Sequence, residues 1–227
     1  MPKASEELTR ARRDEIISAC AALYEAVGFK DVTLKEIGQR TSFTRTSIYN
    51  YFQTKEEIFL ALLQREYEEW IADLETVMKS RRTMSADDFA AALAHTLERR
   101  GCMLKLTSMN LYDIECRSRV ENLVAFKRAY AAALEALGRC LNRFFPAMTA
   151  DDVREFLYAF FPFLFGVYPY TSVTEKQREA MERAGLGNPG YSVYTLVRPL
   201  VEKLLRPYER RDPREGTPDP AQSGTET

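Results

Sequence analysis

Residues 44–52, Thr44-Arg45-Thr46-Ser47-Ile48-Tyr49-Asn50-Tyr51-Phe52, decide how the rest of the chain is read. Thr44 suits a helix N-cap. Phe43 before it and Ile48 inside it stand at the two ends of a hydrophobic staple. Ile48 and Phe52 are four apart, so one edge of a short helix can anchor in a core. Arg45, Thr46, Tyr49 and Asn50 fall on the remaining surface. Arg and Asn can make paired hydrogen bonds to base edges, while Thr and Tyr hydroxyls suit phosphates. The stretch reads as the recognition helix of a helix-turn-helix.

The flanks agree. Upstream, Ile16, Cys20, Leu23 and Val27 recur at helical spacing, with Ala19 and Tyr24 beside them. They predict a helix over 9–27 behind a loose 1–8, stopped by Gly28. Thr33 and Glu36 form a T-x-x-E capping box, with Val32 and Ile37 as its staple, opening a second short helix that ends near Arg40. Thr41-Ser42-Phe43 then has the length of the turn in such a motif. Arg10, Arg12 and Arg13 read either as a charged first turn or as groups reaching an adjacent groove.

Downstream, Thr54-Lys55-Glu56-Glu57 is another T-x-x-E box. A stripe of Phe59, Leu63, Tyr67, Trp70, Leu74 and Val77 follows, with Ile58, Leu62 and Ile71 beside it, predicting a rod to about Met78. Further helices are expected over 86–99 behind a Ser85 cap, over 103–112, over 118–145, and from 150 behind a Thr149 cap. A Thr174/Gln177 box opens a short helix to Ala184, and a last helix over 191–205 is expected to break at Pro199. Strand patterns and internal repeats are lacking, so the fold class is all-α. The expected organisation is a helix-turn-helix domain over 9–55, a larger helical domain over 56–206, and a tail over 207–227 too polar to order.

Composition narrows the function. The 227 residues are 45% hydrophobic with a net charge of -1, which excludes coating of nucleic acid by bulk charge. Residues 1–55 carry nine Lys/Arg against seven Asp/Glu, so the slight positive excess lies at the N-terminal end. Cys20, Cys102, Cys116 and Cys140 form no CxxC pair and have no neighbouring His, so reduced, buried thiols are expected rather than a metal site. His95, the single histidine, lies on a helix with no carboxylate or cysteine at ligand spacing. Nucleophile–base pairs, metal spacings and phosphate loops are missing, and nothing points to an enzyme or a cofactor. The N-terminus lacks an apolar leader. The run 156–170 is shorter than a membrane span and holds Pro162 and Pro169. A cytoplasmic protein with no membrane partner is expected.

The order T-L-K-E-I-G-Q-R, turn, T-R-T-S-I-Y-N-Y-F, then Q-T-K-E-E-I-F resembles the N-terminal module of TetR-family (tetracycline-repressor-like) transcriptional regulators, over roughly 9–65. Its most specific part is Ile48-Tyr49-Asn50-Tyr51-Phe52 followed by Lys55-Glu56-Glu57. One departure is the turn, which has Thr41-Ser42 where many family members have a small residue and Gly. A left-handed residue other than Gly costs about 1 kcal/mol there, too little to change the fold.

The resemblance implies roles. Thr33 would offer its hydroxyl and N–H to a phosphate at a helix N-terminus. Tyr49, Tyr51 and Lys55 would contact phosphates, and Arg45, Thr46 and Asn50 base edges. Thr44 would be cap, phosphate ligand, or both. The partner would be double-stranded DNA, read as a palindromic operator by a homodimer with half-sites about a helical turn apart.

It further implies a helical C-terminal domain that dimerises and often encloses a pocket for a small-molecule effector, whose binding would release the protein as a repressor. The run 160–170 is similar to a recurring pattern in one group of such domains. Trp70, Leu74, Met103, Leu106, Met109, Asn110, Phe126, Tyr130, Phe160 and Tyr168 are of the type that lines such a cavity. Tyr158, Phe161, Phe165, Leu196, Leu200 and Leu204 are candidates for the dimer face. The alternative is a ligand-independent DNA-binding protein whose C-terminal domain docks a protein partner. A filled C-terminal core would favour it, and a pocket of several hundred Å³ the effector reading.

Overall fold

The structure, a computed structural model, describes residues 2–187 and 190–209. The described residues form helices and no strand: α1 (Pro2–Val27), α2 (Leu34–Gln39), α3 (Arg45–Ile48), α4 (Lys55–Ser80), α5 (Ala86–Glu98), α6 (Gly101–Met109), α7 (Leu111–Cys116), α8 (Val120–Phe144), α9 (Ala150–Thr171), α10 (Glu175–Arg183) and α11 (Val193–Leu205), closed by a 3-10 turn at Arg206–Tyr208. Most of the expected tail lies outside the described residues.

Local signals set many of these boundaries. The Thr33 hydroxyl accepts from the Glu36 N–H and the Glu36 carboxylate takes the Thr33 N–H, closing the expected box, while Val32 and Ile37 are fully buried beneath it. Side-chain caps at Thr54, Ser85, Thr149 and Thr174 each accept an N–H of the first turn. Gly28 ends α1 with φ +83°, a left-handed position that favours glycine.

Helix α1 starts at Pro2 and not near Thr9. Proline is preset for a first helical position, and the added turns have no apolar stripe to announce them. The expected helix over 103–112 is two helices meeting at Asn110. Helix α11 runs through Pro199, and α9 runs through Pro162 and Pro169. All three prolines face outward, and the buried residues around them, such as Phe161 and Leu164 in α9 and Val197 and Val201 in α11, hold the helix on both sides.

The ends of α4 lie in two places. Its first turns bury Ile58, Phe59, Leu62 and Leu63 with Ile16, Cys20, Tyr24, Ile37, Ile48 and Phe52 of the first three helices. Tyr24 and Phe29 both meet the Phe59 ring, at 5.2 and 4.7 Å. Further along, α8 packs lengthwise on α4. Ala129, Ala133 and Ala136 on the buried side of α8 allow the close approach. An aromatic cluster fills the middle: Tyr67 lies 5.6 Å from Tyr130, and Trp70 5.9 Å from Phe161. The Arg100 guanidinium forks onto Asp73 at 2.6 and 3.0 Å and pins the start of α6 to the rod. Helix α11 lies along α5. Cys20 and Cys140 are buried as expected, and burial pushes the Cys140 thiol up to about 11; Cys116 is exposed, contrary to expectation.

The fully buried Trp70 indole donates to the Thr96 hydroxyl at 3.0 Å. Thr96→Val keeps the shape and orphans that N–H. It is expected to lower the unfolding free energy by about 1–3 kcal/mol, read from urea denaturation.

Candidate nucleic-acid interface

Two fully buried side chains, Ile48 and Phe52, raise the recognition segment on the surface of the first module. Between them the backbone tightens. Helix α3 is a single turn, after which the Asn50 and Tyr51 N–H groups donate to Ser47 and Ile48 carbonyls at 3.2 and 2.8 Å. Thr46, Tyr49 and Asn50 are exposed on the outer side, as is Thr33 at the start of α2. The Arg45 side chain lies outside the described residues. Thr44 occupies the N-cap position without making the expected cap bond; its Oγ lies 3.1 Å from Ser47 Oγ. Tyr51 is half-buried with its ring 6.4 Å from Phe43, so it is partly a packing residue.

The turn is held from outside itself. Glu15 of α1 accepts the Ser42 N–H on one oxygen and the Ser42 hydroxyl at 2.9 Å on the other. The Thr41 hydroxyl lies 3.1 Å from the Gly38 and Phe43 carbonyls. Side-chain bonds thus stabilise a turn that has no glycine at these positions. Arg12 and Arg13 stack over Phe43 and Phe52, at 5.7 and 4.5 Å from the ring centres. They are mid-helix packing groups and not a charged first turn.

Lys55 departs from the simplest expectation. Its ammonium donates to the carbonyls of Phe29, Lys30 and Val32 at 2.8, 3.2 and 3.0 Å, and lies 4.9 Å from the Phe29 ring centre. An ammonium has three donors, and here three carbonyls take them. Lys55 therefore ties the head of α4 to the loop that presents Thr33.

Glu57, next but one, is the closing residue of the expected T-x-x-E box, but its carboxylate does not return to the Thr54 N–H, and its side chain is only 1% exposed. One carboxylate oxygen takes the Arg119 N–H at 3.2 Å and Nε at 2.6 Å; the other takes Arg119 Nη2 at 2.9 Å and the Gln53 N–H at 2.8 Å. Burial by itself would raise this carboxyl, but the Arg119 fork and the two backbone N–H groups outweigh it and hold the group below the ordinary carboxylate range. Beside it the Thr54 hydroxyl donates to the Arg117 carbonyl at 3.2 Å, and Arg117 lies 3.4 Å from the buried Glu56. The sequence separation from Arg119 exceeds sixty residues, so no motif could have announced the pairing.

The ten candidate pocket residues do not form one cavity. Trp70, Leu74, Met103, Leu106, Phe126 and Phe160 are closed core, each at most 2% exposed. Tyr130 lines an apolar groove of about 670 Å³ between α8 and α9, with Leu134, Val153, Leu157, Tyr158 and Phe165. Met109, Asn110 and Tyr168 line a separate cleft of about 450 Å³ between the end of α1 and helices α6, α9 and α10, where the Tyr24 hydroxyl donates to Asn110 at 3.0 Å. Sequence periodicity identified buried aromatic residues but not which gaps they leave. Of the expected dimer face, Tyr158 is 75% exposed, Leu196, Leu200 and Leu204 are half-buried along one side of α11, and Phe161 is buried against Trp70 and unavailable to a partner. His95 is not isolated: Nδ1 lies 2.8 Å from Glu98 and its ring 4.6 Å from Tyr194.

Comparison with known proteins addresses the two halves separately. Residues 16–62 match the family described as bacterial regulatory proteins, tetR family, and residues 64–208 match the tetracyclin repressor-like C-terminal domain. The Bacillus subtilis (strain 168) HTH-type transcriptional regulator YfiR is 28% identical over 74 residues, covering 33% of this chain and 36% of that protein. An HTH-type transcriptional repressor of Mycobacterium tuberculosis is 29% identical over 72 residues, 32% of this chain and 38% of that protein. These matches span little more than a third of the curated relatives' length. A TetR-family transcriptional regulator from Mesorhizobium loti superposes with TM-score 0.60 at 16% identity, covering 88% of this chain and 98% of that one. FadR from Bacillus subtilis, solved in complex with stearoyl-CoA, gives 0.55 at 19% identity, covering 84% and 96%. At these identities the likeness is one of fold.

The Glu57 geometry sets a pH dependence. A carboxyl held low in the folded chain contributes stability that is present above the ordinary carboxylate range and lost as pH falls through its lowered folded value. Urea denaturation across an acid pH series is expected to show a shallower loss for Glu57→Gln than for the unaltered chain. At the turn, Glu15→Ala is expected to cost about 1 kcal/mol by the same measurement, through the loss of two exposed hydrogen bonds.

Proposed function

The chain belongs to the TetR family of bacterial regulatory proteins, and on that premise we propose that it is a repressor released from a palindromic operator by a small molecule. It is a DNA-binding transcriptional regulator and not an enzyme. The observation that carries the reading is the recognition segment itself: Thr46, Tyr49 and Asn50 exposed together on a turn anchored by Ile48 and Phe52. In this reading Asn50, Thr46 and Arg45 address base edges, while Thr33, Thr44, Tyr49 and the Tyr51 hydroxyl address phosphates. Lys55 holds the Thr33 loop at the height of the phosphate backbone, its own donors being on carbonyls.

One such module makes few phosphate contacts, so a two-fold dimer is required to reach useful affinity. The exposed Tyr158 of α9 and the Leu196, Leu200 and Leu204 side of α11 are its proposed face. The effector is proposed to be apolar and to enter the groove between α8 and α9 beside Tyr130. A fold neighbour bound to stearoyl-CoA supports an acyl-chain effector as the first class to try. Six of the ten candidate pocket residues are closed core, and that observation favours the second reading, a regulator controlled by a protein partner.

Selection of bound DNA from a random pool tests the first claim: a palindrome is expected, and recovery of no preferred sequence would overturn it. On the selected site, Asn50→Ala is expected to cost about 1–3 kcal/mol and relax preference at one position. Tyr49→Phe is expected to weaken all DNA alike. Leu200→Asp is expected to shift the sedimentation coefficient to that of a monomer and to lower operator affinity with it.

A further inference from the structure

We propose that Arg119 is a positioning residue for DNA binding: from the joint ahead of α8 it holds the recognition segment in place through the carboxylate of Glu57. This rests on the reading of residues 44–52 as the DNA-contacting segment.

The carboxylate of Glu57 is shared by two parts of the chain more than sixty residues apart in sequence. On one side it takes the N–H of Gln53, the residue directly after Phe52, whose buried ring anchors the recognition segment. On the other it takes both Nε and Nη2 of Arg119 and the Arg119 backbone N–H, where Arg119 is the N-cap residue of α8. One oxygen serves both sides at once, bonded to Gln53 N and Arg119 Nη2. The contact is duplicated next door by the Thr54 hydroxyl on the Arg117 carbonyl.

The surroundings leave the carboxylate few alternatives. Arg13 of α1 lies on the Phe52 ring and adds a second positive charge near Glu57. Glu56 is turned to Arg117. The side chain of Glu57 is 1% exposed, and the Arg119 side chain that bonds it is 44% exposed, so the carboxylate lies beneath a guanidinium at the surface. A rotation of α8 about its first turn must therefore displace Gln53 or break a charge-assisted fork whose carboxylate side is buried.

Helix α8 also forms one wall of the α8–α9 groove through Tyr130 and Leu134. A ligand or partner that moves α8 would thus reach the recognition segment through one carboxylate, without pivoting the full length of α4. Arg119 and Glu57 couple the regulatory helices to the segment that reads DNA, and neither needs to touch DNA.

The test uses the full chain and DNA selected from a random pool. Arg119→Met is expected to lower affinity at least tenfold at every salt concentration, with the slope of log affinity against log salt unchanged, because no phosphate contact is lost. In the absence of DNA, hydrogen exchange of residues 45–58 is expected to accelerate while the α5–α11 pair keeps its protection. Arg119→Lys keeps the charge without the fork and is expected to recover part of both effects. Glu57→Gln is expected to reproduce the exchange result.

Wild-type affinity and exchange in Arg119→Met would overturn the proposal. So would a salt slope reduced by about one, the mark of a lost phosphate ligand. Exchange accelerated equally in α5 and α11 would overturn it too, as a general loss of stability. If circular dichroism shows Arg119→Met unfolded, Arg119→Lys and Glu57→Gln are read against the same outcomes. If the unaltered chain captures no DNA, the functional reading falls, while the exchange comparison still decides whether Arg119 holds the segment.

Discussion

Helix α4 has to be buried at both ends, and the rest of the structure follows from that constraint. Its 26 residues span about 39 Å. Ile58 and Phe59 belong to the core of the first module, and Trp70 and Leu74 to the core formed with α8. There is no flexible linker between the two. Whatever rotates one end of this helix is felt at the other, unless the loops around its head give way first.

Those loops are tied down by charged side chains bonding to backbone. Lys55 gathers three carbonyls of the segment ahead of α2, Glu57 gathers the N–H groups of Gln53 and Arg119, and Glu15 takes the N–H of Ser42. Short helices leave many N–H and C=O groups without intrahelical partners, and α2 and α3 are among the shortest here. Long, charged side chains from α1 and α4 satisfy several of these groups. The outer side of the segment, Thr46, Tyr49 and Asn50, remains exposed to solvent. Stability is supplied from beneath, and the surface that would meet DNA is kept polar.

How much was legible depended on the range of the interaction. Thr33 with Glu36, and Thr174 with Gln177, lie three residues apart, and both boxes form as their spacing foretold. The first turns of α1 were not legible, because their sequence follows no apolar period. The continuity of α11 through Pro199 was hidden for the opposite reason: packing of Val197 and Val201 outweighs a local breaker. At the site, Ile48 and Phe52 declared the buried edge and Thr46 and Asn50 the outer one. The three bonds of Lys55 were invisible, since its partners are more than twenty residues away.

The sequence by itself determined the helical class, the two short helices and turn of the first module, and the polarity of its recognition segment. Each rests on caps, staples and periodicities that act within one or two turns. Only the tertiary structure decided that Lys55 faces inward, that Trp70, Leu74 and Phe160 close a core instead of lining a cavity, and that Glu57 joins residue 53 to residue 119. The reason is physical: a side chain's type and spacing say that it will be buried or bonded, while the choice of partner belongs to helices brought together from distant parts of the chain.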